Sequence, residues 1–129
     1  MRILPTLGSV LLLLTSCQIG THARNYQPAR GPAGAALELE LNDKSKLTGE
    51  LLAVEEGALL VLRGRELVRV DLPQIREGHA PKVSFRGTKL DSATRERLRL
   101  ISRYPQGVSS DLETRLLQAF GQSSMMRIP

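Results

Sequence analysis

Few residues of this chain could do chemistry, and they are scattered. There is one cysteine, Cys17, and there are two histidines, His22 and His79. His22 stands in a Gly/Pro-rich stretch and His79 beside Gly78 and Pro81. Neither sits in the nucleophile or carboxylate context that a general base requires. Two distant imidazoles and a single thiol do not make a metal site, so no metal ligand is assigned. Glu38, Glu40, Glu50, Glu55 and Glu56 fall on outward strand positions or in turns, where they serve as solubilising charge. Gly64 and Gly87 are isolated, and no loop has the spacing that cradles a phosphate. No catalytic residue is assigned, and the chain is read as no enzyme, without a dissociable cofactor.

The chemistry of Cys17 has a different reading, set by what precedes it. Met1-Arg2 supplies a positive charge, and an apolar run from Ile3 ends in Val10-Leu11-Leu12-Leu13-Leu14. That run falls short of the about 20 apolar residues that span a bilayer, and a charged start followed by a short apolar stretch has the form of a secretory signal. Leu14-Thr15-Ser16-Cys17 then resembles the lipobox of bacterial lipoproteins: an apolar residue, two small residues and a cysteine. The resemblance implies cleavage after residue 16, diacylglycerol on the Cys17 thiol and an N-acyl chain (palmitate or a similar fatty acid) on its new amino group. Several acyl chains, at about 0.8 kcal/mol per buried CH₂, hold a protein firmly on a membrane. It also implies an exported, membrane-anchored protein of the cell envelope. Gln18 rather than Asp follows the cysteine, which by the same resemblance favours the outer membrane, facing the periplasm, over the inner.

With the one cysteine acylated, no disulfide is available and stability rests on packing alone. The chain has 129 residues and a formal charge of +5, with no Trp, two Tyr and two Phe. A core must therefore be built from Leu, Val and Ile. From Gln18 to Gly34 the chain is rich in Gly and Pro, lacks acidic residues and has no apolar period, so residues 17–35 are expected to be the acylated Cys and a flexible linker. A spacer of this kind reaches roughly 20–25 Å.

Residues 36–78 carry the strand signals. Leu37-Glu38-Leu39-Glu40-Leu41 alternates strictly, with turn chemistry in Asn42-Asp43-Lys44-Ser45. Leu47–Val54 follows, and its interior Gly49 predicts a bend or bulge. Ala58–Leu62 is apolar on both faces and is expected to be the most buried strand. Glu66–Val70 comes next, and Pro73 breaks the ladder before a short strand near Ile75–Glu77. Four or five short strands with an interior Gly and a one-turn break resemble the small barrels of the Sm-like and SH3-like type. The expected fold is therefore α+β, mainly β: a four- to five-stranded antiparallel barrel followed by a C-terminal helical hairpin.

Residues 79–122 are read as that appendage: an edge strand around Lys82–Arg86, then two helices. Asp91 or Ser92 caps the first, which runs to about Ser102 with Leu90, Thr94, Leu98 and Ile101 on one face. Pro105 ends it. Ser110-Asp111-Leu112-Glu113 is a capping-box pattern opening the second, and residues 123–129 are expected to fray. Leu112, Leu116 and Phe120 form an apolar stripe, a candidate for partner binding, although packing on the sheet is the commoner use of such a stripe. Arg95, Arg97, Arg99 and Arg103 are the candidate anion-binding set within the basic segment 82–103. Two functions follow. The first is a non-catalytic envelope lipoprotein that binds another envelope protein as an adaptor or assembly module. The second is a binder of an anionic polymer or nucleic acid. Nucleic acid is disfavoured by export and by the lack of aromatic platforms on which bases stack. Nothing in the sequence counts subunits, and a homo-oligomer is compatible with it.

Overall fold

The computed structural model describes residues 33–129. The expected signal, lipobox and most of the expected linker lie outside the described residues. The remainder is an α+β chain, mainly β, built on one seven-stranded sheet. The strands are β1 (Ala36–Leu41), β2 (Lys46–Val54), β3 (Ala58–Arg63), β4 (Glu66–Asp71), β5 (Ile75–Ala80), β6 (Val83–Phe85) and β7 (Met126–Ile128). A single 3₁₀ turn, Leu72–Gln74, with Pro73 in it, separates β4 from β5 as the proline predicted. The helices are α1 (Ser92–Ile101) and α2 (Ser110–Ala119).

The sheet does not close into a barrel. Its order is β6-β5-β1-β2-β3-β4-β7, antiparallel throughout except for the parallel β4–β7 pair. The five strands expected of the barrel are all present and the expected edge strand is β6, but they lie in an open sheet, and β7, which was not expected, caps the end opposite β6. β6 pairs with β5, and β7 lies along β4, so β4 and β5 are each already paired on both sides. The tail expected to fray is therefore ordered. Gln122 begins this, its side-chain amide accepting from the Leu67 N–H at 2.6 Å and donating to the Leu67 carbonyl at 3.1 Å. Arg127 then pairs with Asp71 at 3.1 Å.

Alternation along the strands sends side chains to two cores. On one face Leu37, Leu39, Leu47, Leu51, Leu59, Val61, Val68, Val70 and Ile75 pack with Phe85 and with Leu98 of α1. On the other, Leu52, Ala53, Leu60 and Leu67 form a smaller cluster, against which Leu116, Leu117 and Phe120 pack. The two helices thus serve opposite faces, and the expected hairpin is replaced by a sheet with one helix on each side. This explains why β3 is apolar in both directions: Leu59 and Val61 face one core and Leu60 the other, and all three are fully buried.

The route between faces runs through the gap where β1 begins. Beyond Ala36, β2 has no β1 residue beside it. There Leu51 N–H donates to Ala35 O, and the carbonyls of Leu51 and Leu52 accept from Arg103 and Tyr104 N–H at 3.0 and 2.8 Å. Ala35 N–H in turn donates to Ile101 O at 2.9 Å. The β2–β3 register shifts between Leu51 and Ala53, which turns Leu52 toward the second core. The irregularity expected at Gly49 thus falls two residues later. Gly49 instead permits close approach, since a Cβ there would collide with the Leu62 carbonyl of β3.

Candidate functional site

The four arginines proposed for anion binding are each held within the chain. Arg95 of α1 donates to Glu55 O at 2.8 Å and Arg97 to Lys82 O at 2.9 Å. Arg99 pairs with Glu96 and also donates to Pro105 O at 2.8 Å, tying the helix to the turn that ends it. Arg103 pairs with Glu50 at 2.8 Å, and the same carboxylate accepts from Gly34 N–H at 2.6 Å. Glu50 therefore anchors the end of the expected linker, so residues 33–35 belong to the folded unit. The first helix begins as read: Asp91 accepts from Thr94 N–H at 2.8 Å. That N–H bond holds the Asp91 carboxyl below its usual range.

The apolar stripe of α2 is largely used inside the molecule. Leu116 and Phe120 pack on the second core, and Leu112 is half-buried outside that cluster. The cap is Ser109, one residue earlier than the capping-box reading. Its hydroxyl accepts from Leu112 N–H at 3.1 Å. Glu113 reaches the sheet instead of closing a box. Arg69 of β4 donates to Glu55 at 2.7 Å and to Glu113 at 2.9 Å, and all three side chains are about three-quarters covered. The hydrogen bond to Glu55 leads in holding the Arg69 guanidinium above its already high ordinary value; burial opposes the shift, and Glu113 adds to it. Thus Glu50 and Glu55, read as solubilising, are structural ligands of arginine. Their partners are distant in sequence, and no local pattern marks them.

The second face is only partly covered. α2 lies over β2–β4, whereas on β1, β5 and β6 the residues pointing the same way are polar. Glu38 stands opposite His79 and Glu40 opposite Glu77; the His79 ring lies 3.0 Å from the Ser84 hydroxyl. Beside this area a shallow cleft of about 410 Å³ is lined by Glu40, Asn42, Arg76, Glu77, Arg86 and Thr88. Sequence alternation placed Glu38 and Glu40 outward, but nothing local brings Arg76 and Arg86 to them. A second shallow cleft of about 510 Å³ lies between the β2–β3 turn and α1, lined by Glu55, Glu56, Ser92, Arg95, Glu96 and Arg99. Both clefts carry charges of both signs. Among the described residues no group of three or more His, Cys, Asp or Glu is placed to hold a metal ion, and no helix is long and apolar enough to cross a membrane.

Comparison with protein-family models, with curated proteins and with solved structures finds no match.

Proposed function

We propose that this chain is an exported lipoprotein, acylated at Cys17, which holds the folded unit from residue 33 onward at an envelope membrane as a non-catalytic adaptor. The observation that carries it is the sequence Leu14-Thr15-Ser16-Cys17 directly behind a short apolar run with a basic start. The outer membrane, facing the periplasm, is the proposed location. In the adaptor role, the α2 stripe, a candidate for partner binding, has the commoner use of such a stripe: Leu116 and Phe120 pack on the second core. The uncovered polar half of that face, with Glu38, Thr48, Glu77, His79 and Ser84 exposed, is the area left for an envelope partner.

The test is metabolic labelling with a palmitate analogue in cells making wild type or Cys17→Ala. Wild type is expected to carry label and fractionate with membranes, and the variant to lose the label and remain uncut by the lipoprotein peptidase. Label retained in the variant overturns the proposal.

A further inference from the structure

We propose that the β6 edge and the outer face of α1 form a membrane-facing surface that rests on anionic phospholipid. The proposal deepens the tethered reading and rests on it for the identity of the occupant. Its first support is how the cations are spent. Arg63, Arg69, Arg99, Arg103, Arg115 and Arg127 are each paired with a carboxylate. Nine described Lys and Arg form no ion pair; besides Lys44, Lys46, Arg65 and Arg95 these are Arg76, Lys82, Arg86, Lys89 and Arg97, all five of them exposed.

These five are neighbours in space. Lys82 and Arg86 flank the three residues of β6, roughly 13 Å apart along an extended chain. Arg76 lines the same cleft as Arg86, and Lys89 follows Thr88 of that cleft. Arg97 is joined to Lys82 by its bond to the Lys82 carbonyl. Glu40 and Glu77 in the cleft, Asp91 at the start of α1 and Glu96, which Arg99 neutralises, are the acidic groups nearby, and the balance stays positive.

The second support is Leu100, 61% exposed and three residues beyond Arg97, hence on the same side of α1. An apolar side chain beside a basic rim suits an interface where acyl chains lie beneath charged headgroups. A soluble anionic polymer would use the cations but gain nothing from Leu100.

The experiment uses the full chain with Cys17→Ser, so that acylation contributes nothing and failure of the lipobox reading cannot be mistaken for failure here. Binding is measured to vesicles of phosphatidylcholine alone and of phosphatidylcholine with phosphatidylglycerol, the preference for the anionic vesicles being the quantity read. Lys82→Gln/Arg86→Gln/Lys89→Gln is compared with Arg65→Gln/Arg115→Gln/Arg127→Gln, which removes equal charge from the β3–β4 turn, α2 and β7, away from the β6 end of the sheet, after thermal melts show both folded. At roughly fivefold per charge near an anionic surface, the first variant is expected to lose roughly a hundredfold of the preference at low salt, and the second to keep most of it. Equal losses in the two variants, or no preference in the parent, overturn the proposal and leave the cations as guards of an edge strand. Leu100→Ser is expected to weaken binding to the anionic vesicles while leaving binding to short-chain polyphosphate unchanged; no effect on the vesicles assigns the edge to a soluble polymer and overturns the proposal as well.

Discussion

Asp91 shows what one side chain does here and how pH should reveal it. Its carboxylate accepts the N–H of Thr94, an otherwise unpartnered donor of the first turn of α1. The bond favours the ionised form, so the folded carboxyl titrates below its unfolded counterpart. A depressed folded value means that the stabilisation is complete above the unfolded range, near about pH 4, and is lost as pH falls through the folded one. Asp91→Ala is therefore expected to melt below wild type near neutrality, with the two curves converging as pH falls below the ordinary carboxylate range. Thermal melts of both proteins across that range check it, and a difference independent of pH would rule out the cap. The same bond was readable in the sequence, because an N-cap needs only residues three apart. The Arg69 triad was not, since Arg69 lies 14 residues from one partner and 44 from the other.

That triad belongs to the scale of elements. It joins the β2–β3 turn, β4 and the first turn of α2, and it is the main polar link between that helix and the sheet. Replacing Arg69 by Met leaves two carboxylates facing each other at 27% exposure, which is expected to cost about 1–3 kcal/mol. Glu113→Gln keeps a hydrogen-bond acceptor and one carboxylate, and should cost about 1 kcal/mol or less. Urea unfolding of the two variants gives the order, and a Glu113→Gln loss as large as that of Arg69→Met would show that α2 is held in some other way. Gln122 does for β4 what the triad does for α2: its amide occupies both backbone groups of Leu67 and starts the parallel pairing of β7. Residues 123–129 looked like a frayed tail because a three-residue strand carries almost no periodic signal.

At the scale of the whole molecule, the sheet is buried on both sides only at its centre. Leu60 is the test of that arrangement, fully buried in the second core on the strand between β2 and β4. Leu60→Asp places an unpaired charge there, and in a domain with an ordinary stability of about 5–15 kcal/mol it is expected to abolish the cooperative melt. Leu60→Met, similar in volume, should cost under about 1.5 kcal/mol. A retained transition in Leu60→Asp, followed by circular dichroism, would show that the second core is dispensable. The uncovered half of the same face needs no apolar residues, which is why Glu38 and Glu40 alternate with leucines while β3 has no polar residue until Arg63.

The sequence alone determined the positions of β1 to β5, the break at Pro73 and the cap of α1, because each depends on residues within a few positions of one another. Tertiary structure alone decided that the sheet stays open, that the helices lie on opposite faces and that the tail pairs with β4. It also decided which arginines are engaged. Arg95, Arg97, Arg99 and Arg103 looked alike as the cations of a basic helix, yet Arg99 and Arg103 found carboxylates, Arg95 and Arg97 found backbone carbonyls that leave their charge unpaired, and Lys82, Arg86 and Lys89 stayed unpaired as well. The physical reason is reach. Periodicity and capping act over one or two turns of chain, whereas strand order, facial burial and ion pairing are settled by contacts between segments that the sequence holds far apart.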